Sequence, residues 1–228
     1  MIKIEHLDAY GFEAAIRGMR NPMNSWERSD SGDCEENGIC NGCSALEYVK
    51  SVGLCPNGLP IGKNDLDLMG RLFRAGTEHR KFMRQIQVNM DITAPFYWWK
   101  EFDTYKIGTT ANSCSTMHKI HTKKFDMDDF STEHLIIQNK AVLQGTIDKL
   151  NEARMNYIET NDKLWWWQMI QMLPSTYNQK RTITMNYEVA YRIIEQRSCH
   201  KLDEWHVLAD SLKKLPYMLE IIGDRKAD

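Results

Sequence analysis

The sequence predicts one helix-rich domain of mixed α/β or α+β class built around a central sheet, and three observations point there. Short alternating runs that read as strands are interspersed with longer runs of helical period. The 228 residues are 42% hydrophobic and 26% charged, enough for a substantial core under an ordinary polar surface. No internal repeat or low-complexity tract interrupts the chain.

The elements follow in order. Ile2 to Leu7 alternates like a short strand, and Ala9 to Met19 reads as a helix. From Asn21 to Asn64 the chain turns irregular, with Pro22, Pro56, Pro60 and many Gly, Asn, Ser and Asp residues. It reads as a long loop or Cys/Gly-rich insertion within a single domain, because Trp26, Leu46, Tyr48 and Val49 give it something to bury. Asn64 or Asp65 is placed to cap a helix through Leu66, Met69 and Phe73 that ends near Gly76. Phe82 to Ile92 alternates as a strand, with Arg84 on the apolar face, and Pro95 suits the first turn of an aromatic helix. Asp126 to Glu159 has one long helical period, and Asp162 to Met172 continues as helix until Pro174 stops it. Lys180 to Asn186 reads as a strand, followed by helices over Tyr187–Gln196 and Leu202–Leu215. The aromatic runs Tyr97-Trp98-Trp99 and Trp165-Trp166-Trp167 point in several directions at consecutive helical positions, which predicts mostly core and subunit contacts.

Composition and motifs exclude several functions. A formal charge of −2 argues against a dedicated nucleic-acid binder, though not against a local phosphate pocket. No stretch reaches the ~18–20 apolar residues that span a bilayer, and the N-terminus lacks a signal-peptide core, so a cytoplasmic protein is expected. Phosphate-loop, dinucleotide-fingerprint, zinc-protease and nucleophile-elbow motifs are absent. Cys34, Cys40, Cys43 and Cys55 contain one CxxC pair where a zinc site usually wants two. Reduced thiols are the favoured reading there, with zinc as the alternative. His118 and His121 have helical ligand spacing but no obvious third ligand.

The most informative stretch is residues 172–205, MLPSTYNQKRTITMNYEVAYRIIEQRSCHKLDEW. Leu173-Pro174, Tyr177, Asn186 and Arg197 resemble, without a gap, the C-terminal block of the flavin-dependent thymidylate synthase family; His200 and Glu204 follow with spacing one residue short. The resemblance implies that family's α+β fold, a homotetramer with sites between subunits, and binding of FAD, deoxyuridylate, NADPH and a folate. By resemblance Asn186 faces the flavin and Arg197 the nucleotide, and a guanidinium fork on a helix end suits a phosphate or planar acceptor pair. The alternative is that Arg197 and His200 simply finish a helix, where the dipole favours cations.

Residues 95–119 are similar to the family's second block through Pro95-Phe96 and the aromatic helix, but the arginine signature is replaced. Thr104-Tyr105-Lys106 stands for Arg-His-Arg, Ser113 for Glu, and Met117-His118 for the final Arg-Tyr; Asn112 and Ser115 match after one insertion. Each missing arginine removes a contact of roughly 1.5–3 kcal/mol. Lys106, Lys119, Arg80, Arg84 and Arg181 are the candidate replacements, and the loop NSCSTMH keeps hydroxyls that can cradle a phosphate or form a ligand-free turn. Glu78-His79-Arg80 is similar to a family element preceding a strand. The resemblance therefore implies cofactor contacts at His79, Arg80, Lys106, Asn112 and Asn186. It implies nucleotide contacts at Arg84, Ser113, Ser115, Thr116, His118, Arg181 and Arg197. Two functions follow: a flavin-dependent transferase acting on a pyrimidine nucleotide, or a homologue that binds, senses or sequesters a nucleotide without that chemistry. A helical interaction protein is the third possibility.

Overall fold

A computed structural model describes residues 2–32 and 61–223. Four strands, β1 (Lys3–Tyr10), β2 (Gln87–Pro95), β3 (Thr109–Ser113) and β4 (Asn178–Asn186), form one antiparallel sheet in the order β1-β2-β4-β3. The helices are α1 (Phe12–Arg20), α2 (Lys63–Arg74), α3 (Phe96–Phe102), α4 (Thr116–Lys119) and α5 (Ile137–Thr160). They continue with α6 (Lys163–Met172), α7 (Tyr187–Arg197), α8 (Asp203–Lys213) and α9 (Met218–Ile222). The helix-rich α+β class read from the sequence is the class found.

The described residues divide into two compact units, and each strand contributes to both. The first contains residues 2–5, 91–106 and 111–182. Its core sits between α5 and α6, where Leu143, Ile147, Leu150 and Met169 pack with Phe125 and Phe130. Trp98, Trp99 and Phe102 of α3 are buried, and the Trp99 indole donates to the Gln179 carbonyl at 3.0 Å. The α3 aromatic run is therefore mostly core; in α6, Trp167 stays 42% exposed.

The second unit contains residues 6–32, 61–90, 107–110 and 183–223. Phe12 meets Tyr187 and Tyr217 edge-on at 5.5 and 5.9 Å, and Trp205, Leu208 and Leu212 of α8 are fully buried. A knot of polar groups lies beneath. Asp65 accepts from Arg20 Nε, Ser29 Oγ and Ser31 Oγ, each at 2.6 Å, while Asp30 accepts from the Asn64 and Asp65 amides at 2.8 and 3.1 Å.

Three local expectations change. Asp65 does not cap α2, whose N-cap is Gly62; Arg20 draws its carboxylate into the core, and Asp30 satisfies the first amides instead. The expected strand over Phe82–Ile92 begins only at Gln87. Phe82 and Met83 are both buried, which strand alternation forbids, so residues Arg80–Arg84 form a 3₁₀ turn. The long helix expected from Asp126 starts at Ile137. Asp126 and Asp129 cap a short 3₁₀ turn reciprocally, and Phe130 then bridges to Tyr177 in extended backbone. Strand β3 and helix α9 were not anticipated. Most of the insertion at about 21–64, with Leu46, Tyr48, Val49 and all four clustered cysteines, lies outside the described residues.

Candidate nucleotide site

A cavity of about 540 Å³ opens in the first unit, at the junction of the NSCSTMH loop with β4. That volume suits a small ligand. Hydroxyls come from Thr93, Ser115, Thr116 and Thr122, cations from Lys119, Lys123 and Lys180, a carboxylate from Asp129, and aromatic surface from Phe125 and Tyr177.

Local structure holds the loop in place. Ser115 caps α4 by accepting from the His118 amide at 3.0 Å. Gln179 donates to the Cys114 carbonyl at 2.8 Å, and the Cys114 amide donates to the Lys180 carbonyl at 2.9 Å. The loop is thus fastened to β4 on both sides of Cys114's peptide groups. Thr122 donates to the Lys119 carbonyl at 2.8 Å, which closes the turn behind α4.

The lysines differ in their commitments. Lys123 pairs with Asp129 at 2.6 Å and Asp126 at 3.5 Å, and Lys180 with Asp91 at 2.9 Å and Glu5 at 3.6 Å. Hydrogen bonds donated to these carboxylates raise both ammonium pKa values above their ordinary range. Lys119 has no ion pair among the described residues, which makes its charge the one left for an anion. Burial, with help from the Asp129 carboxylate, raises the Tyr177 phenol pKa, so Tyr177 presents a neutral ring and hydroxyl. Hydroxyls with an uncommitted ammonium suit a phosphate, and a neutral aromatic wall suits a planar base.

Ser115 and Thr116 thus reach a cavity together. Asn112 and Ser113 lie exposed on β3, His118 is exposed on α4, and Lys106 is exposed in the loop before β3. Arg181 lines a separate cavity of about 270 Å³ with Lys100 and Ser175. Its guanidinium sits 4.1 Å from the Trp99 ring centroid, pairs with Asp103 at 2.7 Å and donates to Gln179 at 3.0 Å.

The other predicted residues belong to the second unit. Asn186 caps α7, accepting from the Val189 amide at 3.0 Å, while its Nδ2 faces Gly108. Gly108 has φ +78°, and a Cβ there would stand 2.7 Å from that nitrogen. Arg197 ends α7 with its guanidinium 4.6 Å from the Trp205 ring centroid. His200 accepts from the Leu202 amide through Nδ1 at 3.2 Å. His79 is exposed, and Arg80 and Arg84 gather around Glu188. Among the described residues no cluster of three metal-ligating side chains occurs; the Cys34, Cys40, Cys43 and Cys55 zinc alternative lies outside them.

Neither a protein-family model nor a curated protein matches the chain. Solved structures do. Thymidylate synthase X from Helicobacter pylori, crystallised with FAD and dUMP, superposes with TM-score 0.62 at 17% identity, covering 98% of each chain. A second Helicobacter pylori structure of this flavin-dependent enzyme with FAD and dUMP gives 0.61 at 18%, covering 100% and 99%. The UMP/dUMP methylase PolB from Streptomyces cacaoi, bound to 5-Br dUMP, gives 0.56 at 11%, covering 96% and 93%.

The fold is that of the flavin-dependent thymidylate synthases.

At these identities the likeness is one of fold. Several groups around the thymidylate-synthase-like sheet escaped sequence reasoning. Lys123 and Lys180 carried no signal, because they lie 57 positions apart and only strand pairing gives them one cavity. Tyr177 was visible as a matched residue, but its burial beside Asp129 was not. Glu188 sits in the first turn of α7, where the helix dipole favours any acid, so nothing in its position marks it out. Among the described residues no helix is long and apolar enough to cross a membrane.

Proposed function

We propose that this protein binds a pyrimidine mononucleotide of dUMP type in the cavity lined by Ser115, Thr116, Lys119 and Tyr177. The observation carrying this is the cavity itself, where an uncommitted ammonium and four Ser/Thr hydroxyls share one chamber with an aromatic wall. The solved relatives in fold were crystallised with dUMP or 5-Br dUMP, which agrees with that chemistry. Ser113, His118, Arg181 and Arg197 enter the proposal as further nucleotide contacts, and Asn112 as a cofactor contact, through the sequence resemblance.

FAD is the proposed cofactor, and residues in the second unit fit a flavin dinucleotide. Arg80 Nε is buried without a hydrogen-bond partner, and Asn186 Nδ2 makes no hydrogen bond among the described residues. His79 is an exposed donor for the same group, and Lys106 enters only through the sequence resemblance. When bound, a flavin supplies redox chemistry; the protein's share is binding and orientation. NADPH and a folate belong to the proposal only with the full transfer reaction. A homotetramer in the cytoplasm completes it.

A second reading, binding without transfer, is favoured by one observation. Thr104, Tyr105 and Met117 stand where the resembled signature carries Arg, His and Arg. Two measurements separate the readings. dUMP should raise the melting temperature in a concentration-dependent way, and Lys119→Ala should weaken that effect on the order of tenfold or more. No rise with dUMP or UMP rejects nucleotide binding at this site. Flavin absorbance near ~450 nm that survives gel filtration supports the transferase; protein that neither carries nor takes up FAD leaves the binding reading.

A further inference from the structure

Arg80 and Arg84 leave one 3₁₀ turn and present Nε to the same carboxylate. Glu188 Oε2 accepts from Arg84 Nε, and Oε1 lies 3.8 Å from Arg80 Nε. Thr77 ties the pair a second time. Its Oγ1 accepts from Arg80 Nη2 at 3.2 Å and its carbonyl from Arg84 Nη2 at 3.4 Å. Phe73 and Tyr191 flank Arg80, each ring centroid 5.1 Å from the guanidinium carbon. The two forks are therefore held together at two edges, by groups from the turn before them and from α7.

Two guanidiniums held this close repel, and one carboxylate offsets only one of them. A second carboxylate, Glu78, also acts on Arg84. Donors are left over. Neither Nη1 has a partner among the described residues, and Arg80 Nε is buried without a hydrogen bond. Of these donors Arg80 Nε is the buried one, and a buried donor without a hydrogen bond calls for an acceptor.

We propose that Arg80 and Arg84, held in register by Glu188 and Thr77, form a clamp for a phosphate group. Paired planar forks match phosphate oxygens in a way that point-charge ammoniums do not. The clamp extends the nucleotide-binding reading without requiring it, because inorganic pyrophosphate probes it directly. The phosphate has two possible sources, the pyrophosphate of a flavin dinucleotide and the monophosphate of a nucleotide.

Calorimetric titration of the full chain tests this, using pyrophosphate, FAD, riboflavin, dUMP and deoxyuridine against the native protein and Arg84→Gln. Arg84 is 47% exposed, so its loss should leave the fold intact. The native protein should bind pyrophosphate, and R84Q should weaken that binding on the order of tenfold or more. A parallel loss for FAD but not riboflavin assigns the clamp to the dinucleotide. A loss for dUMP but not deoxyuridine assigns it to the nucleotide. Should R84Q unfold, Arg84→Lys keeps the charge without the fork and should bind weaker than native. Unchanged pyrophosphate, FAD and dUMP binding in the variant overturns the proposal, as does a native protein that binds none of them. So does a loss of pyrophosphate binding in Lys119→Ala but not in R84Q.

Discussion

Replacing Asp65 with Asn probes the polar knot beneath α2. Asp65 is fully buried and Arg20 is 4% exposed, so neither charge has water to fall back on. The carboxylate accepts from Arg20 Nε, Ser29 Oγ and Ser31 Oγ at 2.6 Å, and from the Ser31 and Asp30 amides at 3.1 and 3.2 Å. The amide of Asn keeps the shape but removes the charge and turns one acceptor into a donor facing donors. Breaking a buried pair in this way costs about 3–5 kcal/mol. For a chain of this length that is a fall in Tm of roughly 6–20 °C. Urea and thermal melts of Asp65→Asn, Arg20→Gln and the double variant measure it. The double variant should lose clearly less than the sum of the single losses, because the second substitution removes a group already left unpaired. Desolvation pushes the Asp65 carboxyl up, but hydrogen bonds from Ser29, Ser31 and Arg20 outweigh it and hold the pKa below its ordinary 3.8. The folded value is thus the lower one. Its stabilisation is present above pH 3.8 and is lost as pH falls through the folded value. D65N should lack this part of the acid transition. A loss below about 1 kcal/mol, or strictly additive losses, would refute a buried ion pair as the organiser of this knot.

Three further outcomes are expected. Gly108→Ala should cost about 1–3 kcal/mol, because φ +78° disfavours a side chain and the new Cβ would meet Asn186 Nδ2. Urea melts measure that loss, and it should exceed the ~1 kcal/mol expected for Asn186→Ala as a simple cap deletion. Arg181→Met should change the Trp emission spectrum, since a guanidinium 4.1 Å from the Trp99 ring is removed; an unchanged spectrum argues against that stacking. In an ultraviolet pH titration Tyr177 should ionise above the ordinary value of 10, and Tyr177→Phe should remove one tyrosine's share of the late absorbance change. The neutral phenol stabilises the fold below pH 10, and this contribution fades as pH rises through the folded value.

The fold was legible where local chemistry and tertiary packing agree. β2 alternates with Val88, Met90, Ile92 and Ala94 buried, and Asn186 both ends a strand and caps the next helix, so residues 172–205 read correctly from pattern alone. Phe82 and Met83 misled because burial of both side chains sets their backbone, and Asp126 because it caps a local 3₁₀ turn with Asp129. The site was half legible. Ser115 and Thr116 stood out as hydroxyls in a polar loop, whereas Lys123 and Lys180 reach them only through the turn behind α4 and the ladder of β4.

By itself the sequence determined the class of fold, its principal strands and helices, and the segment whose spacing resembles a nucleotide-handling family. Those properties depend on periodicity and on residue types a few positions apart. Only the tertiary structure decided which charges are free. Arg181 is committed to Asp103 and Trp99, Lys123 and Lys180 are each held by two acids, and Lys119 is left without an ion pair among the described residues. The physical reason is that a cation's availability depends on the carboxylates within a few ångströms of it. Sheet pairing and helix packing bring those together from distant parts of the chain.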